Sequence, residues 1–324
     1  MRYNRLGNSG LRVSALGLGT NSFGTRADKA ESKRILDLAL DRGINFIDTA
    51  NIYSSTASET IIGAALSGRR SEFVLATKAG LSRGEGPNSR GSSRFHIQQE
   101  LEGSLKRLKT DYVDLYQIHT FDPDTPLEET LRALEDFVRA GKVRYIGASN
   151  YAAWELMKAL GISDRLDLNR YVSTQTSYSL ADRTPERELV PLCLDQGVGI
   201  IPYFPLAGGI LTGKYGIDGT APEGSRALTN PNFTRFFGEH NLALGRSVAA
   251  LAQQLDCTAS VLSLAWLMQQ PAVATTIVGA TSAEQLESNM QSVAVELSAD
   301  TLAELDQLSR PFRNGEPFAL YRLT

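Results

Sequence analysis

FVLATKAGLSRGEGPNSRGSSRFHIQQELEGSLKRLKTDYVDLYQIH, residues 73–119, decides the fold. Its two ends, FVLATK (73–78) and YVDLYQIH (112–119), are short apolar runs rich in Val, Leu and Tyr. Between them a Gly/Ser/Arg-rich loop at 80–93 leads into a helix expected over 94–108, where Ile97, Leu101, Leu105 and Leu108 recur at helical spacing. A strand, a helix and a second strand in that order read as one unit of a parallel sheet, because parallel neighbours need a crossover.

Outward from this unit the alternation continues. Upstream lie a strand ending at Leu18, a helix near 29–41, a strand at 44–48 (INFID) and a helix near 58–66. Downstream come a helix over 126–140 and strands at 143–147, 171–175, 198–203 and 274–278, with helices near 151–160 and 185–196 between them. Thr125 is the expected N-cap of the 126–140 helix, Glu128 and Glu129 suit its first turn, and Gly141 ends it. Further helices are expected near 242–255, 259–269, 282–292 and 299–308. Eight strands alternating with helices give an α/β class fold, a single (β/α)8 barrel domain spanning 1–324 with extra C-terminal helices. Residues 2–13 read as a hairpin turning on Gly7-Asn8-Ser9-Gly10 and capping the barrel bottom. The loops at 80–93 and 204–241 have no helical period and read as a substrate flap and a second mobile loop.

Composition narrows the function classes. The chain has 324 residues, 42% hydrophobic and 21% charged, with a formal net charge of −3, so it offers no field for nucleic acid or an anionic membrane. MRYNRLGNSGLRVS lacks the apolar core of a signal peptide, and the apolar stretch 198–211 is short and interrupted by Pro202, Pro205, Gly208 and Gly209. The two cysteines, Cys193 and Cys257, read as small apolar residues of a protein in a reducing, cytoplasmic setting. His96, His119 and His240 are widely separated and no HExxH or CxxC occurs, so no metal centre is expected. The GxSxG elbow of a serine hydrolase is missing as well.

The chemistry is expected at the barrel mouth, where strand C-termini gather. Asp48, Tyr53, Lys78 and His119 all fall there. A lone tyrosine on such a loop is ordinarily a surface anchor, and a lone histidine is ordinarily structural; their convergence changes the weighting. Lys78 closes an apolar strand and needs a counter-ion, which Asp48 supplies. A phenol with a pKa of ~10 is a poor acid near neutrality until an ammonium favours its phenolate. Further polar groups end other strands: Gly19-Thr20-Asn21, Ser149-Asn150, Gln175, Tyr203 and Gly279-Ala280-Thr281. Singly each reads as a turn or cap residue; together they fit a large polar ligand. The segment 279–282, just before a helix carrying Gln285 and Asn289, is expected to present backbone N–H groups to a phosphate.

In ordered blocks the chain resembles the aldo-keto reductase superfamily, particularly its bacterial and potassium-channel β-subunit-like branches. The blocks are LGLGT (16–20), INFIDTANIY (44–53), SETIIGAAL (58–66), ATK (76–78), SLKRLKTDYVDLYQIH (104–119), VRYIGASNY (143–151), PYFPLAGGILTGKY (202–215) and IVGATSAEQLESN (277–289). The resemblance implies an (α/β)8 barrel that binds NADP(H), with NAD(H) as second option, and reduces a small-molecule carbonyl. Carried over, Tyr53 would be the general acid, Asp48 and Lys78 would lower its pKa, and His119 would orient the carbonyl. Ser149, Asn150 and Gln175 would hold the nicotinamide carboxamide, Tyr203 would stack on its ring, and Gly19 and Thr20 would line its ribose, beside Asp48. Leu206, Gly208 and Lys214 would follow the pyrophosphate in one cofactor-lining segment with Phe204, Pro205 and Leu211. Gly279, Thr281, Gln285 and Asn289 would surround the adenosine end.

The chain departs from the pattern in three places. Ser54-Ser55-Thr56-Ala57 replaces glycines, Phe204 replaces a serine, and Thr281 replaces an arginine, which weakens NADPH selectivity. Phe23, Phe121, Phe236 and Phe237 are candidate apolar walls of the substrate pocket. Two rival readings accompany the reductase: a cofactor-binding regulatory or redox-sensing protein with slow turnover, and a phosphate-binding barrel isomerase or lyase. Similar proteins include both monomers and homo-oligomers.

Overall fold

The eight apolar runs form eight parallel strands. In the computed structural model, which describes residues 1–215, 237–315 and 322–323, these are β3 (Leu16–Gly19), β4 (Phe46–Asp48), β5 (Val74–Ala79), β6 (Val113–Ile118), β7 (Val143–Ser149), β8 (Tyr171–Ser177), β9 (Gly199–Tyr203) and β10 (Thr276–Gly279). Their order is β10-β3-β4-β5-β6-β7-β8-β9. The two ends of that order meet: Ile200 donates its N–H to the Ala272 carbonyl at 2.7 Å and accepts from the Ala274 N–H at 2.9 Å. The sheet thereby closes into a (β/α)8 barrel.

At the bottom, β1 (Tyr3–Arg5) and β2 (Arg12–Ser14) pair as the expected antiparallel hairpin. Leu6 and Val13 drop into the barrel interior against Phe46, Val74, Ala76, Leu115, Ile201 and Ile277. The hairpin lies flush on the strand starts, since a Cβ on Gly7 (φ +57°) would stand 2.4 Å from the Val172 carbonyl oxygen. The larger apolar cluster fills the space between barrel and helices, with Leu75, Tyr116 and Ile146 facing outward onto Ile62, Leu101 and Leu134.

Around the barrel lie α1 (Lys29–Asp41), α2 (Ala57–Ala65), α3 (Arg94–Leu108), α4 (Leu127–Arg139), α5 (Ala153–Leu166), α6 (Leu189–Gln196), α7 (Glu239–Gln254), α8 (Ala259–Met268), α9 (Ala283–Met290) and α10 (Ala299–Ser309). Among the described residues no single helix is long and apolar enough to cross a membrane.

Three expectations are corrected. Thr125 does not cap α4: its hydroxyl donates to Asp122 Oδ2 at 2.6 Å, and Pro126 takes the N-cap position without a side-chain bond. The helix expected over 185–196 breaks into a 3₁₀ turn, Thr184–Glu186, and α6, because the backbone leaves helical geometry at Glu188 (φ −138°, ψ −40°); Arg183 ties the turn to Glu186 and Asp306. The irregular loop expected over 204–241 holds a 3₁₀ segment, Ala207–Thr212, and gives way to α7 at Glu239; residues 216–236, including Phe236, lie outside the described residues.

Candidate active site

Strand alternation builds the site. On β5 the inward positions are Val74, Ala76 and then Lys78; on β4 they are Phe46 and Asp48; on β6, Leu115 and Gln117. One inward position above the apolar interior, the barrel therefore becomes polar. Lys78 Nζ donates to Asp48 Oδ2 at 2.6 Å, to the Thr49 carbonyl at 2.9 Å and to Tyr53 Oη at 3.2 Å. Asp48 Oδ1 accepts from Gln175 Nε2 at 3.0 Å and Gln117 Nε2 at 3.2 Å. Lys78 is fully buried and Asp48 nearly so. Burial pushes the ammonium pKa below its ordinary value, and the adjacent Asp48 carboxylate opposes that shift.

His119, directly after β6, packs against Tyr53 in a T-shaped arrangement with centroids 6.0 Å apart at 76°. Burial, reinforced by the Lys78 charge, holds its imidazole well below the usual histidine range, so it is neutral at pH 7. Asn150, in a left-handed conformation (φ 56°), donates from Nδ2 to the His119 carbonyl at 2.8 Å and to Ser149 Oγ at 3.0 Å. Tyr203 Oη donates to Asn150 Oδ1 at 2.6 Å. Thr20 Oγ1 donates to the Asp48 carbonyl at 2.9 Å, which ties the end of β3 to the same centre.

Tyr53 opens a short turn in which Ser54, Ser55 and Thr56 have φ of 50°, 51° and 83°. Left-handed geometry costs a non-glycine residue roughly 1–2 kcal/mol, so the glycine-free run Ser54-Ser55-Thr56 leaves the segment behind Tyr53 strained.

These groups line a cavity of about 580 Å³. Its lining includes Asp48, Tyr53 and His119, Gly19 and Thr20, and Ser149, Asn150 and Gln175. Tyr203, Phe204, Pro205, Leu206, Gly208 and Lys214 form the wall after β9, and Gly279, Thr281 and Gln285 the wall after β10. Three expected residues stand off the wall. Lys78 lies behind Tyr53, Leu211 is fully buried in the core, and Asn289 is buried on α9. The start of α9 is also less open than expected, because its donors are already used: Thr281 N donates to Gln285 Oε1 at 2.8 Å, Ala283 N to Glu31 Oε1 at 2.7 Å and Gln285 N to Ser282 Oγ at 3.2 Å. Of the candidate apolar walls, Phe23 is fully buried, Phe237 packs on Tyr215 at 4.8 Å, and Phe121 packs on Tyr151 and Trp154.

Sequence reasoning missed Gln117 and Arg26. Gln117 was legible: it stands two residues before His119, so strand alternation points both inward. Arg26 lies in a loop with no periodic signal, yet it lines the cavity.

The residues present suit a dinucleotide. The cavity is lined by amide and hydroxyl groups (Thr20, Ser149, Asn150, Gln175) and, on the loop after β9, by Lys214. Gly208 and Gly209 (φ 66° and 109°) let that loop turn, and a Cβ on Gly209 would stand 3.0 Å from Lys214 Cε and 3.1 Å from its Nζ, so glycine leaves the lysine room to lie across.

Residues 15–310 match the aldo/keto reductase family model. The chain belongs to the aldo/keto reductase family. It is 40% identical to "Uncharacterized oxidoreductase YrpG" of Bacillus subtilis (strain 168), over 95% of this chain and 96% of that protein. It is 36% identical to "Protein tas" of Escherichia coli (strain K12), over 98% of this chain and all of that protein. It is 39% identical to "Probable voltage-gated potassium channel subunit beta" of Arabidopsis thaliana, over 91% and 92% of the two chains. This aldo/keto reductase is accordingly an oxidoreductase built on one parallel barrel.

Proposed function

We propose that the protein reduces an aldehyde or ketone to the alcohol with NADP(H), and that Tyr53 is the general acid. The observation that carries the reading is the buried Lys78 ammonium, within hydrogen-bond distance of both Asp48 Oδ2 and Tyr53 Oη. An ammonium at that position stabilises the phenolate left when Tyr53 gives up its proton, so the phenol becomes a usable acid at neutral pH. Asp48 keeps the ammonium charged in a site whose burial disfavours it.

The cofactor, when bound, supplies the hydride. Tyr53 delivers its proton to the substrate oxygen, and solvent returns a proton to the phenolate. Neutral His119 directs an imidazole nitrogen at the same oxygen and so fixes which carbonyl face is presented. Ser149, Asn150 and Gln175 would hold the nicotinamide amide, Tyr203 would support the ring, and Gly19 and Thr20 would border the ribose. Leu206, Gly208 and Lys214 would hold the diphosphate, and Gly279, Thr281 and Gln285 the adenosine. The whole chain acts as one domain in the cytoplasm on a small-molecule substrate.

The test is Tyr53→Phe. General acid-base groups typically contribute ~10²- to 10⁴-fold, so carbonyl reduction should fall at least ~100-fold while NADP⁺ still quenches intrinsic fluorescence. Near wild-type kcat would overturn the assignment. A second reading, a cofactor-binding regulatory protein with slow turnover, draws on relatives whose names denote potassium channel β subunits. Tight NADP⁺ binding with negligible turnover across a carbonyl panel would favour it.

A further inference from the structure

We infer that Arg26 sets substrate specificity by receiving an anionic group, a carboxylate or phosphate, on the carbonyl substrate; this rests on the reductase reading above. Arg26 sits at the tip of a tight turn between β3 and α1. Gly24 N donates to the Ala27 carbonyl at 2.8 Å, Ala27 N to the Ser22 carbonyl at 3.0 Å, and Thr25 Oγ1 to the same Ser22 oxygen at 3.2 Å. The tip leans toward the catalytic tyrosine. At Gly24 (φ +80°) a Cβ would lie 2.7 Å from Ala57 Cβ and 3.6 Å from Ser54 Cβ, so the turn abuts the segment that directly follows Tyr53. Two residues on, Arg26 lines the same cavity as Ile52, Tyr53 and His119.

The guanidinium forms no hydrogen bond or ion pair with the described residues. Arg34 and Arg83, by contrast, are engaged: Arg34 with Glu31 and Glu284, and Arg83 with Glu100. Asp48, the carboxylate of the cavity, is already held by Lys78 and two amides. Arg26 is exposed, yet desolvation by the surrounding protein lowers its pKa, and no carboxylate among the described residues opposes that shift. A guanidinium on the cavity lining with no counter-ion among the described residues is left to pair with an anion that enters. Lys214, the other cation of the lining, stands on the loop after β9, across β10 from the turn, where the diphosphate is proposed to run. The anion nearer Tyr53 is therefore assigned to the substrate. Arginine suits it, because its planar fork binds carboxylate or phosphate with two parallel hydrogen bonds.

The experiment compares 3-formylbenzoate with its methyl ester, which differ in charge at one position, for reduction by NADPH, and measures calorimetric binding of the alcohol product 3-(hydroxymethyl)benzoate to the NADP⁺-loaded protein. A charge-assisted hydrogen bond is worth ~1.5–3 kcal/mol, or roughly ten- to a hundredfold in affinity. Wild type should favour the carboxylate over the ester by about that factor. Arg26→Gln should cut the ratio to about threefold or less, through KM, and Arg26→Lys should restore part of it. An identical ratio in wild type and Arg26→Gln would overturn the inference. So would a parallel loss of NADP⁺ affinity in Arg26→Gln, which would give the cation to the cofactor. If neither aldehyde is turned over but the benzoate binds in an Arg26-dependent way, the reductase reading fails and the anion site stands. If the benzoate binds without dependence on Arg26, or does not bind, the anion site fails whatever the turnover.

Discussion

Two successive layers inside the barrel, both built largely from β4, β5 and β6, have opposite chemistry. The lower layer, Phe46, Val74, Ala76, Leu115 and Ile201, is apolar and sealed beneath by Leu6 and Val13. The layer above it, Asp48, Lys78, Gln117 and Gln175, is just as buried and wholly polar. Burial of the first drives folding. Burial of the second opposes folding and is tolerated because each charge has a partner within hydrogen-bond distance. The lesson is positional: stability sits toward the strand starts, and chemistry sits at the strand ends, where loops open the barrel to ligand.

The largest effect should come from unpairing the polar layer. Lys78→Met leaves the Asp48 carboxylate buried without its cation and should destabilise the fold by ~3–5 kcal/mol in urea melts. Asp48→Leu combined with Lys78→Met removes both charges, and should recover most of that stability while remaining inactive. If the double variant is no more stable than the single one, the polar layer does not carry the electrostatic cost argued here.

A smaller effect is expected at the far end of the cavity, where the polar groups sit on loops and are more exposed. Thr281 and Gln285 bond to each other, and Glu31 already occupies the Ala283 N–H, so no cation faces a ribose 2′-phosphate from α9. Wild type should therefore prefer NADPH over NADH by less than about a hundredfold. Thr281→Arg adds a charge-assisted bond of ~1.5–3 kcal/mol and should tighten NADP⁺ roughly ten- to a hundredfold with little change for NAD⁺ in fluorescence titrations. A wild-type preference above about a thousandfold would show that another cation already serves.

The smallest effect is a pH slope. Burial lowers the His119 pKa in the folded state, so below the ordinary value of 6.5 the unfolded chain binds a proton that the folded chain refuses. This part of the stability is complete above that pH and is lost as pH falls beneath it, by up to ~1.4 kcal/mol per pH unit. His96 is lowered in the same direction by burial, so His119→Gln should reduce the slope of urea stability between neutral and mildly acidic pH without abolishing it. An unaltered slope would mean that His119 titrates normally.

Much of this architecture was legible in the sequence, for reasons that differ by region. The βα alternation fixed the parallel barrel because strand and helix impose different spacings on apolar residues. Asp48, Lys78 and His119 stood out because polar groups closing apolar strands have few structural uses. Gln117 was equally legible from alternation, but glutamine carries no charge to draw notice. Thr125 misled because Asp122, three residues earlier, competes for its hydroxyl, and local cap patterns do not encode that competition. Arg26, the occupied N–H groups of α9 and the left-handed run at 54–56 depend on contacts between loops distant in sequence, which no periodicity reports.

The central claim is that Asp48 and Lys78 act through Tyr53 as one proton-donating unit. Single-turnover carbonyl reduction by NADPH-saturated wild type, Asp48→Asn, Lys78→Met and the double variant, each verified as folded by near-ultraviolet circular dichroism, tests it most directly. Groups acting as a unit give strongly non-additive losses. The account predicts that each single variant is slowed, and that the double variant is little slower than the worse of the two. A double variant slowed by the full product of the single losses would contradict it and give the carboxylate a separate task.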